Sequence, residues 1–252
     1  MKLSKYLNFT AIVVLFLVGC GSSSDLPKSR FTRKKLSLEE SKVYITSTVY
    51  YIPDYTSVDN NQCSDSVGIN VKKSKNNIVS SKLCRNVFKD CLMQGSCFVS
   101  IDGSKQMFNY QKRVNSIVQF QTVDLSICPY GLGDSSDGRA SYVAMCLDPY
   151  RSIAADLKIY PLGTVIYIAD VVGTVLPNGE THDGYFVVRD SGGNIDGYGR
   201  FDFYTGFDGA GRRNVFSQIG LGGEANYQYQ IVTGPEADRI LSASGFPRLK
   251  NH

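Results

Sequence analysis

HDGYFVVRDSGGNIDGYGRFD, residues 182–202, is the stretch of this chain that decides the fold prediction. Two β-prone runs, 185–188 and 201–204, enclose a glycine-rich segment, and enrichment in aromatic and β-branched residues is typical of strands. Glycine clusters supply turns that need a positive φ or close backbone approach. The sequence therefore predicts a strand, a loop and a second strand, with four carboxylates along them: Asp183, Asp190, Asp196 and Asp202.

The carboxylates of this stretch admit two interpretations. Aspartate, serine and glycine are ordinary turn residues, so composition alone favours a loop capped by aspartates. Like charges brought together raise one another's pKa, and burial raises it further, which keeps a carboxylic acid protonated for general-acid chemistry. His182 and Asp183 follow a hairpin signal at 178–179, so we expect them to form an exposed turn outside the catalytic set.

Three motifs in order give the wider pattern. Residues 154–164 fit A-x-D-x-x-x-x-P-L-G-T, residues 190–197 fit D-x-G-G-x-I-x-G, and Asp202 follows in a strand-like run. Together they resemble the 3D domain family, named for three aspartates, which includes the catalytic region of MltA-type lytic transglycosylases. The resemblance implies a mainly β fold, a six-stranded double-psi β-barrel with a short C-terminal helix. It also implies a peptidoglycan-cleaving site with catalytic Asp202, its neighbour Asp190 and a third member, Asp156.

The favoured hypothesis from this resemblance is a lytic transglycosylase that acts on the bond between N-acetylmuramic acid (MurNAc) and N-acetylglucosamine (GlcNAc). Asp202 would be the general acid and then the general base. One alternative is a true glycosidase, which needs two carboxyls about 5–5.5 Å or about 6.5–9.5 Å apart. Another is a non-catalytic, wall-binding or expansin-like barrel, because Asn194-Ile195-Asp196 stands where the family often has Ala-Ile-Lys. The expected substrate-binding residues are Gly192, Gly193, Ile195, Gly197, Tyr198 and Tyr204.

The first twenty residues have the features of a lipoprotein signal peptide. Two lysines precede the apolar run 11–18, which is too short for a bilayer-spanning helix of about 20 residues. The run leads into Leu-Val-Gly-Cys, which resembles a bacterial lipobox and implies a lipid anchor on Cys20. The alternative is an ordinary secretory signal that happens to end in cysteine. We expect an outer-membrane lipoprotein facing the periplasm, with a signal peptide at 1–20, a flexible tether at 21–40 and the barrel domain at 41–246.

The other six cysteines form an even set, which in an exported protein predicts disulfides. Spacing does not choose among the possible pairings. A zinc site is the alternative, but no C-x-x-C motif occurs and the histidines are only His182 and His252. We therefore expect no metal, no cofactor and three structural disulfides among Cys63, Cys84, Cys91, Cys97, Cys128 and Cys146.

The region from about 56 to 135 holds most of these cysteines. We expect a disulfide-stapled insertion within the barrel, made of mixed polar loops with strands at 97–101 and 117–120 and a helix at 81–93. The net charge of +4 is modest. It fits loose attraction to an acidic cell wall and does not indicate nucleic-acid binding. The expected partners are therefore peptidoglycan glycan strands and a membrane reached through the lipid anchor, with no nucleic acid and a monomeric chain.

Overall fold

The computed structural model describes residues 42–74, 76–134, 145–207, 209, 214–223 and 226–246. The predicted signal peptide, Cys20 and the tether lie outside the described residues. None of the helices in the described ranges combines the length and the apolar character needed to cross a bilayer.

Twelve strands, three α-helices and one 3₁₀ turn make up the secondary structure of the described ranges. The helices are α1 (Arg85–Gln94), α2 (Val215–Gln218) and α3 (Gly234–Ala243), and the 3₁₀ turn is Ala169–Val171. The strands are β1 (Thr46–Tyr50), β2 (Asp54–Asp59), β3 (Ser66–Ser74), β4 (Asn77–Cys84), β5 (Ser96–Ile101), β6 (Ser104–Val114), β7 (Ile117–Thr122), β8 (Ser152–Ala154), β9 (Val165–Tyr167), β10 (Tyr185–Asp190), β11 (Arg200–Tyr204) and β12 (Gln230–Val232).

The first sheet has the order β1-β11-β8-β10-β9-β12 and curls until its two edges meet. A bridge between Tyr44 and Gln228 joins those edges, where Ile45 N donates to Tyr227 O at 2.9 Å. Two of its strand pairs, β1 with β11 and β10 with β8, are parallel, although each pair is far apart along the chain. The predicted mainly β fold, with a six-stranded barrel and a short C-terminal helix, is confirmed.

Aromatic side chains fill the interior of this barrel. Phe201 and Phe203 are fully buried on β11, and Phe186 of β10 packs edge-on against Phe203 with ring centroids 4.9 Å apart. Successive side chains of a strand point to opposite faces. Asp202, between the two phenylalanines, is therefore turned to the other face of the sheet, where a carboxylate can meet solvent.

The second sheet has the order β2-β5-β6-β7-β3-β4 and a hydrophobic core of its own beneath α1. Two disulfides, Cys63–Cys84 and Cys91–Cys97, close this core. The core residues are Ile69, Val71, Leu83, Val87, Cys91, Cys97, Val99, Ile101, Phe108, Val118 and Phe120.

The expectation of mixed polar loops in this region is wrong, because six strands run between residues 54 and 122. Most of these strands carry polar residues on the face away from the core, so they lack the long apolar runs that signal a strand. The predicted helix at 81–93 begins later, at Arg85, because residues before it complete β4.

The third disulfide, Cys128–Cys146, ties the chain leaving the second sheet to the barrel, where Cys128 packs in the core. The three predicted disulfides are thus confirmed, and their pairing is resolved by the fold.

Candidate active site

A groove of about 830 Å³ lies between the barrel and the second sheet. The barrel contributes Tyr50, Ala154, Asp190 and Asp202, together with the start of the loop after β10. The opposite wall comes from β3, β6, β7 and the end of α1. Its lining residues include Lys72, Leu92, Met93, Gln94, Asn109, Tyr110, Gln111, Lys112 and Gln119.

Ala154 lies between the two aspartates that sequence motifs single out. It pairs with Asp202 of β11 on one side and with Asp190 of β10 on the other. Neighbouring strands are spaced about 4.8 Å apart, so the two aspartate Cα atoms lie about 10 Å from each other across this small residue. The β-sheet register therefore places two carboxyls, one from each end of the loop, on the floor of the groove.

A β-bulge sets the position of Asp190. The register of β10 against β8 shifts between Val188 and Asp190, which leaves Arg189 as the extra residue. The side chain of Arg189 is buried, and its Nη2 donates to Ser244 O at 2.7 Å. Bulges re-aim side chains near functional sites. Here the bulge turns the arginine inward and places the following carboxyl beside Ala154.

Asp190 is held by two hydrogen bonds and carries a perturbed pKa. Tyr50 Oη donates to its Oδ2 at 3.0 Å, and Ser191 N donates to its Oδ1 at 2.9 Å. Burial is the main cause that raises the pKa of Asp190 to about 7, against the lowering effect of these two bonds. The charges of Asp134 and Asp202 raise it further. This carboxyl therefore exchanges a proton near neutral pH.

Tyr50 is a site residue that the sequence motifs did not identify. Its ring packs 5.1 Å from that of Tyr204, and burial, followed by the charge of Asp190, raises the pKa of its hydroxyl well above the ordinary value. The hydroxyl thus stays a neutral donor. Tyr50 pairs with Tyr204, two residues after Asp202, so its place in the site depends on two strands that are far apart along the chain.

Asp156 does not line the groove. Its carboxylate accepts backbone hydrogen bonds that fix the loop after β10. Gly197 N donates to its Oδ2 and Lys158 N to its Oδ1, each at 3.0 Å. Both hydrogen bonds lower the pKa of Asp156, and the bond from Gly197 has the larger effect. A carboxylate kept charged by backbone donors stabilises the loop conformation and is poorly suited to donate a proton.

The loop residues predicted to bind substrate divide into two groups. Gly192, Gly193 and Ile195 line the groove, and a Cβ added at Gly192 would lie 2.7 Å from Ile195 Cγ1, so this position requires glycine. Gly197 is instead bound to Asp156. Tyr198, 40% exposed, lies outside the groove lining and has Lys42 Nζ 5.6 Å from its ring centroid.

The prediction that Tyr204 stacks against a sugar is wrong. Its side chain is fully buried, and its hydroxyl donates to the carbonyl oxygen of Tyr130. The alternation of β11 places Tyr204 on the face of Asp202, but the packed ring of Tyr50 covers it. It supports the site by fixing the Tyr50 ring.

His182 is buried rather than part of an exposed turn, at 1% exposure. Gly184 N donates to its Nδ1 at 2.8 Å, so Nε2 carries the proton and donates to Tyr150 O at 2.7 Å. Burial lowers the pKa of His182 to about 4. It is a neutral core residue, and its neighbour Asp183 pairs with Arg151 at the surface.

Across the described parts of the chain, no three His, Cys, Asp or Glu side chains come close enough together to hold a metal ion. The chemistry available in the groove is that of carboxyls, phenols, hydroxyls, amides and lysines.

Comparisons with known proteins give one family match and several similar solved structures. No curated protein matches the sequence. Among solved structures, the chain is similar to Escherichia coli MltA with bound chitohexaose, at 16% identity and a TM-score of 0.48 over 77% of this chain and 73% of that one. It is also similar to a membrane-bound lytic murein transglycosylase from Agrobacterium tumefaciens, at 16% identity and a TM-score of 0.41, covering 81% and 77% of the two chains. The lytic transglycosylase LtgG of Burkholderia pseudomallei has 14% identity and a TM-score of 0.36, covering 75% and 71%.

One family model matches, that of the 3D domain, and it covers residues 151–214. The matched segment contains Asp156, Asp190 and Asp202, together with strands β8, β9, β10 and β11. Residues 151–214 of this chain are thus similar to the 3D domain family.

Proposed function

We propose that this chain is a lytic transglycosylase that cleaves the bond between MurNAc and GlcNAc in peptidoglycan, with Asp202 as general acid and base. The observation that carries the proposal is the pair of carboxyls, Asp190 and Asp202, that flank Ala154 on the floor of a groove of about 830 Å³. An open groove suits an extended glycan strand, and paired carboxyls suit glycosidic bond cleavage.

The reaction uses one carboxyl twice. Asp202 gives its proton to the glycosidic oxygen as the bond from that oxygen to C1 of MurNAc breaks, and GlcNAc leaves. The resulting carboxylate accepts the proton of the MurNAc C6 hydroxyl, and O6 bonds to C1. The product is a 1,6-anhydro sugar, no water is consumed, and the catalyst ends protonated as it began. An internal nucleophile makes a second catalytic base unnecessary.

Asp190 supports this chemistry from the other side of Ala154. In its charged form, held by Tyr50 and Ser191, it stabilises positive charge that develops at C1. In its neutral form it leaves the groove less negative and admits an anionic substrate more readily. Asp156 is a positioning residue, because it fixes the loop through Gly197 without facing the groove.

The test is mass spectrometry of products from purified peptidoglycan incubated with the chain, with Asp202→Asn and Asp190→Asn beside it. Asp196→Asn is the matched control, because Asp196 is an exposed carboxyl of the same loop that does not line the groove. We expect anhydro-muropeptides from the unmodified chain and the control, and none from Asp202→Asn. Reducing-end products would mean hydrolysis instead, and retention on peptidoglycan without products would mean a wall-binding barrel.

The proposed reaction belongs in the periplasm, on a monomer tethered to the outer membrane through Cys20. The support is the lipobox-like sequence that ends at this residue. Replacing Cys20 with alanine is expected to move the protein from the membrane fraction to the soluble fraction of the cell envelope.

A further inference from the structure

The groove wall opposite the aspartates carries a chain of side-chain amides, which we call the amide wall: Asn109, Gln111, Gln119 and Gln121. Gln119 Nε2 donates to Gln111 Oε1 at 2.8 Å, and Gln111 Nε2 donates to Gln121 Oε1 at 2.7 Å. Gln121 Nε2 then donates to Asn109 Oδ1 at 3.4 Å. Gln111 and Gln121 therefore have both their oxygen and their nitrogen ends fixed by neighbouring amides.

Asn109 anchors this chain to the rest of the protein. Its Nδ2 donates to Ser96 Oγ at 3.0 Å on β5 and to Leu132 O at 2.7 Å, beside the barrel. Fixed polar groups lose little conformational freedom when they bind a ligand. The amide wall is thus a preorganised polar surface rather than a set of mobile side chains.

A β-bulge adds a lysine to the face of this wall. Tyr110 pairs with Phe120 and Lys112 pairs with Gln119, which leaves Gln111 as an extra residue of β6. Regular alternation would turn Gln111 away from Lys112. Gln111, two residues after Asn109, shares the face of the amides, and the bulge brings Lys112 onto that face as well, opposite Gln119.

Two lysines flank the amide wall. Lys112 pairs with Gln119, and Lys72 of β3 pairs with Gln121, so both share the face of the amides. Both also line the groove. Within the part of the chain that the structure describes, neither lysine belongs to an ion pair. One wall of the groove is therefore cationic, and the other carries Asp134, Asp190 and Asp202.

This separation of charge selects both the substrate and its orientation. We infer that Lys72 and Lys112 bind the acidic substituents of a MurNAc-containing glycan, so that the groove prefers such a strand to a neutral chitin strand of equal length. The inference rests on the proposed function, because it names the substrate feature that the same groove recognises. An amide offers both a donor and an acceptor, so the amide wall suits the N-acetyl groups that both strands share. The lysines distinguish the strands, since only MurNAc carries a carboxylate on its lactyl group or in an attached peptide.

The orientation follows from the same charges. A carboxylate next to Asp190 in its charged form is repelled, whereas one next to the lysines is attracted. The acidic substituents of a bound strand therefore face the second sheet, which leaves the sugar backbone facing the aspartates.

The experiment measures binding by titration calorimetry in an Asp202→Asn background, so that cleavage does not intervene. The ligands are peptide-free oligomers of alternating GlcNAc and MurNAc, and chito-oligosaccharides of the same length. The test variant is Lys72→Ala with Lys112→Ala. The matched control is Lys73→Ala with Arg113→Ala, which removes the same charge from exposed neighbours that do not line the groove.

We expect the test variant to lose about tenfold in affinity for the MurNAc oligomer, on the order of two partly exposed ion pairs. Its affinity for the chito-oligosaccharide should change little. Added salt should weaken the binding of the MurNAc oligomer only. Equal loss for both ligands, no loss for either, or the same loss in the control would overturn the inference. Because binding is measured without turnover, selective binding by a chain that yields no cleavage product would reject the proposed function and leave this inference standing.

Discussion

Replacing Asp190 with asparagine tests whether burial holds a proton on this carboxyl near neutral pH. In the folded protein its pKa is raised to about 7 from an ordinary 3.8, mainly because burial disfavours the charge. Between these values the folded chain keeps a proton that the unfolded chain releases. The stability contributed by this group is therefore fully present below about pH 4 and is lost as the pH rises through about 7.

The size of this effect follows from the pKa difference. At about 1.4 kcal/mol per pKa unit, a rise from 3.8 to about 7 corresponds to about 4 kcal/mol of unfolding free energy. Asp190 is partly exposed at the groove, and solvent screening reduces the effect, so we expect about 2–4 kcal/mol. Asparagine has nearly the same shape and still accepts from Tyr50, so the variant isolates the titration.

Urea unfolding at several pH values between 4 and 8, with the disulfides intact, measures the difference between the variant and the unmodified chain. The variant should gain in relative stability by about 2–4 kcal/mol from the lowest to the highest pH. Asp196→Asn provides the control, since this exposed carboxyl lies in the same loop. A difference for Asp190→Asn that stays constant over the whole range would refute the argument that burial governs this group.

Three further substitutions test two neighbours of Asp190 and one buried histidine elsewhere in the barrel. Tyr50→Phe removes a hydrogen bond that lowers the pKa of Asp190, so NMR titration should find that pKa higher still, with about 1 kcal/mol of stability lost in denaturation. Ala154→Val adds bulk between the two aspartates, so we expect cleavage of peptidoglycan to fall about 100-fold while circular dichroism still reports a folded chain. His182→Gln removes a buried group whose pKa is lowered from 6.5 to about 4, and whose stabilising contribution is lost as the pH falls from about 6.5 to 4. Thermal melts should therefore show a shallower loss of stability in acid for this variant, by up to about 3 kcal/mol.

The barrel half of the fold was accessible from the sequence because its signals are local. The run from Tyr185 to Val188 and the run around Asp202 have strand composition, and the glycine-rich loop between them breaks both. The motif that contains Asp156 is a third local signal. These features predicted the strands, and the resemblance to the 3D domain family implied the carboxyl pair. Neither distinguished Asp156, which faces backbone donors, from the two aspartates that face the groove.

The second sheet was not accessible in the same way. Its strands mix lysine, serine and asparagine with few consecutive apolar residues, as in β4, NIVSSKLC. Their core-facing residues become visible as a set only after the sheet order and two disulfides bring them together. Tyr50 was missed for a related reason, because its partner Asp190 is 140 residues away and no local pattern links them.

Both walls of the groove depend on a residue that breaks strand alternation. Arg189 is the extra residue of β10 and places Asp190 beside Ala154, whereas Gln111 is the extra residue of β6 and lets Lys112 share the face of the amides. A prediction from strand alternation assigns every second residue to the same face of the sheet. A single inserted residue therefore reverses the predicted face of every residue after it in the strand. Sequence patterns therefore fail at these two places in particular, and the same two places direct Asp190 and Lys112 to the groove. A bulge at each wall lets a sheet keep its core packing on one side while it aims chosen side chains into the groove.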